Sequence, residues 1–298
     1  MKTHIPHSTE RSTVCNEMDI VYDTFGEEIS PPMVLIMGLG SQMILWDDEF
    51  CSQLAARGFR VIRFDNRDVG RSTKLSHLGI PDFRSLMKGE DVEIPYTLHD
   101  MAKDTIGLLD ALHIDSAHVV GASMGGMIAQ LMAIDYPKRM RSVTSIMSTT
   151  SDPSLPQAAP EAIQVLFKPY STVKEKFIKA FINTWRVLGG DQLPMEHDRV
   201  LDLAERFLQR GVDPAGNARQ LAAIIASGSR KKALGTLNIP ALVIHGDADP
   251  LVPVAHGIDT AGSIPGAGLK IIPGMGHAFP SSVWPDIIGS IAEHAGKY

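Results

Sequence analysis

The chain has 298 residues, of which 44% are hydrophobic and 21% charged, and a net charge of −6. That length suffices for one large domain, with room for an inserted subdomain, and its core needs no disulfide or metal to hold it. The acidic balance and the lack of any block of like charge argue against nucleic acid or an anionic membrane as partner.

The N-terminal stretch MKTHIPHSTERST is polar and lacks the apolar centre of a signal peptide. No run anywhere reaches the about 18 apolar residues of a membrane helix. Cys15 and Cys51 are too few for a disulfide framework and read as free thiols of a reducing compartment. Together these features predict a soluble, cytoplasmic protein. STVCNE (12–17) reads as an edge strand, and DIVYDTF (19–25), MVLIM (33–37) and FRVIRFD (59–65) as three more strands. A helix is expected from Thr97, with Asp100 placed as the partner of a capping box and Met101, Ile106, Leu108, Leu109 and Leu112 facing a core.

AHVVGAS (117–123) is a further strand, and GGMIAQLMAIDYP (125–137) a helix ended by Pro137. RSVTSIM (141–147), ALVIHG (241–246) and LKIIPG (269–274) complete the strands, and SSVWPDIIGSIAEHA (281–295) is the last helix. Apolar runs of this kind fit strands buried on both faces, and their alternation with helices predicts an α/β fold around a mostly parallel sheet of eight strands. Residues 150–235 break the alternation. They open on the Pro- and Ser-rich SDPSLPQAAP and then carry only helical periodicity, such as Val173, Phe177, Phe181 and Trp185 spaced by four. We read them as a helical cap inserted into a core made of residues 1–149 and 236–298. Within them, Arg230-Lys231-Lys232 reads as a solvated turn.

The chemistry-bearing residues lie where strands end. In GASMG (121–125) a strand becomes a helix around a single serine, Ser123, flanked by small residues that a sharp turn requires. This is the pattern of a nucleophile elbow, with a helix N-terminus behind the hydroxyl. Alone the pentapeptide is a weak signal; its placement between a strand and a helix strengthens it. A serine hydroxyl needs a base and a group to orient the base. VIHGDADPLVP offers Asp249 as the acid. Asp247 is its competitor and is read as capping the turn; Asp152 is a third candidate. IIPGMGHAFP offers His277, in a glycine-framed loop after the last strand. Of the other histidines, His113, His118 and His245 read as structural and His256 as a surface or loop residue. An oxyanion would be met by the N–H of Met124 and by that of Leu39, in the open GLG turn (38–40).

The layout resembles the α/β-hydrolase fold superfamily, on MGLG (37–40), FDNRDVGRS (64–72), GASMG (121–125), GDADPLVP (246–253) and GMGH (274–277), in that order along the chain. Within it the chain is similar to carboxylesterases related to aclacinomycin methylesterase, on LIMG, WDDEF, RVIRFDNRDVGRST, AHVVGASMG and IPGMGHAFPSSV. The resemblance implies Ser123, Asp249 and His277 as a triad, with Leu39 and Met124 as backbone donors. Two positions depart from the family pattern. Met37 stands where many members carry a histidine that orders the oxyanion loop. Asp68 replaces a usual glycine, in a stretch read as a structural turn that does not affect chemistry.

The expected activity is hydrolysis of small to medium, mainly apolar carboxylic esters through an acyl-enzyme, with no metal or organic cofactor. Met43, Trp46, Met124, Phe167, Trp185 and Phe279 are candidates for the pocket wall. The same machinery serves lactonase, C–C hydrolase, amidase or perhydrolase chemistry. A ligand-binding protein with an idle triad is the alternative of a different class. The expected partner is a small-molecule ester, and the sequence leaves monomer and homodimer open.

Overall fold

The computed structural model describes residues 5–168, 170–171 and 173–298. Eight strands form one sheet: β1 (Arg11–Cys15), β2 (Met18–Phe25), β3 (Pro32–Ile36), β4 (Arg60–Phe64), β5 (Ala117–Ala122), β6 (Met140–Ile146), β7 (Ala241–Gly246) and β8 (Gly268–Ile272). Their order is β1-β2-β4-β3-β5-β6-β7-β8. The pairs β1–β2 and β2–β4 are antiparallel, and every pair from β4–β3 to β7–β8 is parallel. All eight expected strands form. The central β5 and β7 are buried at every residue, as continuous apolar runs should be when helices cover both faces. The edge strand β1 is exposed at three of its five residues, and its polar side chains suit an edge.

The helices are α1 (Asp48–Ala55), α2 (Phe83–Met87), α3 (Leu98–Ala111), α4 (Met124–Asp135), α5 (Pro160–Leu166), α6 (Lys174–Gly189), α7 (His197–Arg210), α8 (Pro214–Ser227), α9 (Lys231–Leu234), α10 (Val254–Ser263) and α11 (Trp284–Ala295). The capping box at Thr97 and Asp100 starts α3 as its sequence indicates. One face of the sheet packs on α3 and α4, through Val34, Val119, Leu108 and Ile128 among others. The other face packs on α1 and α11, through Leu35, Val120, Leu54 and Ile287.

Between β6 and β7 the chain makes α5 to α9 and, among the described residues, no strand. Phe177 and Phe181 of α6 and Phe207 of α7 pack together on Met43 and Ile44 of the segment after β3. Met43 is therefore a packing residue between these helices and the sheet. Arg230-Lys231-Lys232 is not a solvated turn. Arg230 is buried and donates to Gln130, to the carbonyl of Thr149 and to Ser151, because it ties down the loop leaving β6. Lys231 opens α9 and pairs with Asp152 and Asp259.

Candidate active site

In an open parallel sheet, ligand-binding residues gather beyond the carboxyl ends of the strands, where successive loops diverge. Leu39 follows β3, Ser123 follows β5, Asp249 follows β7 and His277 follows β8. The sheet order therefore brings together residues spread over most of the sequence.

Ser123 joins β5 to α4 with φ 54° and ψ −119°, a left-handed conformation that a non-glycine residue takes only under constraint. The flanking glycines explain how so sharp a turn is packed. A Cβ on Gly121 would lie 2.0 Å from the carbonyl oxygen of Gly125, and a Cβ on Gly125 would lie 2.1 Å from that of Ile36. The Ser123 N–H donates to the Ile146 carbonyl at 2.9 Å, and Ser148 Oγ donates to the Ser123 carbonyl at 2.8 Å.

The Ser123 hydroxyl oxygen lies 3.0 Å from Nε2 of His277, and Nδ1 of His277 lies 2.7 Å from Oδ2 of Asp249. An ionised carboxylate only accepts, so Nδ1 carries the proton and Nε2 is left free to accept from the serine. Asp249 is fixed in turn, its Oδ1 accepting from the N–H groups of Leu251 at 2.9 Å and Val252 at 2.8 Å. The N–H of His277 donates to the Leu188 carbonyl at 2.7 Å, at the end of α6. Both Asp249 and His277 are buried, which strengthens their interaction relative to water.

The other two carboxylates lie elsewhere. Asp247 accepts from the Gly274 N–H at 2.7 Å, so it caps a turn as expected and links the loops that carry Asp249 and His277. Asp152 accepts from the Ser154 N–H at 2.9 Å and pairs with Lys231, away from His277. Among the histidines, His118 and His245 are buried in strands, and His113 ends the turn after α3 with φ 55°. His256 is not a loop residue: it lies in α10, half-buried, and bridges Thr149 Oγ1 at 2.7 Å and the Pro156 carbonyl at 2.8 Å.

Met124 is the first residue of α4, where a helix leaves its N–H groups without intrahelical partners. Among the described residues neither its N–H nor that of Leu39 donates to a protein acceptor. Gly38 lies against Ser123, its Cβ position only 3.1 Å from the serine Cβ.

Ser123 and His277 open into a cavity of about 760 Å³ bounded by the sheet end below and by α5 to α8 above. Its wall is largely apolar. Met124, Phe167, Trp185 and Phe279 line it, as the sequence suggested, and Phe167 is half exposed. Met43 and Trp46 do not. Met43 is taken up in the packing described above, and Trp46 is buried against Phe50 and Phe279, with ring centroids 5.5 and 5.2 Å away. Sequence reasoning missed Ile80 and Phe83, from the excursion between β4 and α3, and Phe177, Phe181 and Phe207 from α6 and α7. For the aromatics of α6 the four-residue spacing was the available signal.

Asp68 also borders the cavity. Its φ of 69° explains why glycine suits the position, and aspartate is among the residues that tolerate it. It does more than turn the chain. Its carboxylate accepts from Arg219 of α8 at 2.8 and 2.9 Å, from Tyr96 Oη at 2.7 Å and from the Leu75 N–H at 2.7 Å. Burial alone would raise its pKa, yet these donors together hold the carboxyl below its ordinary value.

A family model described as alpha/beta hydrolase fold matches residues 31–280. Rhodomycin D methylesterases of Streptomyces sp. (strain C5) and Streptomyces peucetius are 28% and 29% identical to the chain, over 94% of it and 95% of each relative. Among solved structures, 2-hydroxy-6-oxo-6-phenylhexa-2,4-dienoate hydrolase from Rhodococcus sp. strain RHA1 superposes with a TM-score of 0.79 at 17% identity, over 98% of this chain and 99% of that one, a likeness of fold.

Proposed function

The chain belongs to the α/β-hydrolase fold family, and from that premise we propose that it is a serine carboxylesterase acting through an acyl-enzyme on Ser123. The observation that carries this reading is the unbroken hydrogen-bonded series from Asp249 through His277 to Ser123. His277 takes the serine proton as Ser123 Oγ attacks the ester carbonyl, and Asp249 steadies the imidazolium that results. The N–H groups of Leu39 and Met124 receive the oxyanion. The leaving alcohol takes the proton from His277. Water, deprotonated by the same histidine, then releases the acid and restores Ser123. Apart from the ester and the water, every group these steps call for is a side chain or backbone N–H of this chain.

Residues 150–235 act as the cap in this reading, since α5 to α8 roof the cavity above Ser123. The cavity volume lies in the upper part of the range for small-molecule sites, roughly 300–1,000 Å³. Methyl esters of bulky, mainly apolar acids are the favoured substrates, on the ground of that volume, the apolar wall and the relatives that are methylesterases.

The test is hydrolysis of p-nitrophenyl acetate, butyrate, octanoate and palmitate by wild type beside Ser123→Ala. Turnover should depend on Ser123, with a fall in kcat of about 10³-fold or more in the variant. Equal turnover by the variant, or none by wild type on any ester and no acylation by an organophosphonate, would turn the reading towards a ligand-binding protein.

A further inference from the structure

A backbone donor for an oxyanion is worth most when it is fixed before the reaction begins. Leu39 stands between Gly38 and Gly40, and Gly40 adopts φ 63°, so the segment has little stiffness of its own. Met37, just before it, is packed in the core and has no polar group with which to hold the loop. At the base of the loop the Met37 carbonyl accepts from Asn66 Nδ2 at 3.0 Å, and the Ser41 N–H closes onto the Gly38 carbonyl at 3.2 Å.

The neighbouring Ser41 Oγ donates to the Leu39 carbonyl at 3.3 Å. Among the described residues, one side chain from elsewhere in the chain bonds to residues 38–40, and it comes from α8. Gln220 Oε1 accepts from the Gly40 N–H at 2.8 Å, and its Nε2 donates to the Arg67 carbonyl at 2.8 Å. Gln220 is fully buried, so both bonds are made out of contact with water. An amide is suited to the place because it accepts and donates at once. Asn217, one turn earlier on α8, packs on Gly40 so closely that a Cβ there would come 2.6 Å from its amide atoms. Arg219, beside Gln220, grips Asp68, the residue after Arg67. A single helix thus clasps the 38–40 turn and the 67–68 turn together.

We propose that Gln220 is a positioning residue for the oxyanion loop. Its amide ties Gly40 to Arg67 and so presents the Leu39 N–H towards Ser123, and α8 supplies the order that Met37 does not. The inference rests on the reading of Ser123 as nucleophile and Leu39 as donor. It makes docking of α8 and formation of the oxyanion site one event.

The test compares wild type with Gln220→Met, of similar length but without either hydrogen bond, and Gln220→Glu, which keeps the acceptor for Gly40. Two readouts are taken: kcat and KM on the best p-nitrophenyl ester, and inhibition by a matched pair of compounds. A trifluoromethyl ketone accepts Ser123 Oγ at its carbonyl carbon, the serine proton passes to His277, and the new hemiketal oxygen is an anion. The corresponding secondary alcohol binds without reacting. Gln220→Met should lower kcat by about tenfold to a hundredfold with KM changed by less than about twofold, and weaken the ketone by a like factor while leaving the alcohol unchanged. Gln220→Glu should fall between. The ratio of the two inhibition constants is read on the folded fraction alone, so poor folding does not imitate the result. A Gln220→Met protein with a lower Tm but an unaltered kcat and ketone-to-alcohol ratio would overturn the proposal and leave Gln220 a packing residue. Failure of the parent reading has another signature: Ser123→Ala as active as wild type, and wild type binding ketone and alcohol alike, which ends this proposal as well.

Discussion

Ser123 is held in a conformation that costs a non-glycine residue about 1–3 kcal/mol, and the surrounding packing must sustain it. Gly121 and Gly125 make this possible, because β5, α4 and the end of β3 approach within a distance no side chain allows. The same interior sets a pH limit through two buried histidines outside the hydrogen-bonded series. His118 meets Ser142 Oγ at 2.9 Å and is pushed down to about 4, by burial first and then by Arg141 and His294. His245 is also lowered, burial outweighing the nearby Asp249. Unfolded histidine titrates near about 6.5. Below that value the unfolded chain binds protons that the folded chain refuses, so stability is full above it and declines as the pH falls towards 4. Urea unfolding followed from about pH 7 to about pH 4 should show that decline, and His118→Gln should make it shallower. An unchanged slope in the variant would clear His118 of the effect.

At the scale of elements, α7 and α8 are fastened to the sheet domain by arginines. Arg199 reaches Asp47 at 2.8 Å, Arg206 reaches Asp48 at 3.4 Å, Arg210 pairs with Asp65 and Glu10, and Arg219 pairs with Asp68 at 2.8 Å. Arg199 and Arg206 are partly exposed, and such pairs add little. Arg219 and Asp68 are both inaccessible to solvent, so removing one strands the other. Arg219→Met should therefore cost about 3–5 kcal/mol in denaturant unfolding, whereas Arg206→Met should cost less than about 1 kcal/mol. Similar small losses in both would show that burial, not the ion pair, anchors α8. This fastening was not legible in the sequence. Arg219 and Asp68 are 151 residues apart, and nothing local marks them as partners. What was legible was the helical character of 150–235, since helical spacing is a local property. The excursion that carries Ile80, Phe83 and Tyr96 has no clear periodicity, and its part in the cavity wall went unread.

For the molecule as a whole, the strands and the residues that follow them could be read because each depends on a short stretch of chain. β5 and β7 are buried throughout, and Ser123, Asp249 and His277 each follow a strand whose apolar run marks its end. The cavity could not be read in the same way. It is the gap left where two separately packed surfaces meet, and whether an aromatic residue faces the gap or the packing is decided by that meeting. Trp46 and Phe279 stack on each other, yet only Phe279 borders the cavity. If the gap is the substrate site, filling it should change selectivity without touching the chemistry. Ile225 lines it from α8, more than one helical turn beyond Gln220. Ile225→Trp should reduce kcat/KM for p-nitrophenyl octanoate by about tenfold or more relative to wild type and leave the acetate within about twofold, because one or two lost methylene contacts already amount to about 1–3 kcal/mol. A parallel loss on both esters would mean that the bulky group lies elsewhere. The smaller groove between α7 and the His277 loop, which shares Trp185 and Phe279 with the main cavity, would then be the place to look.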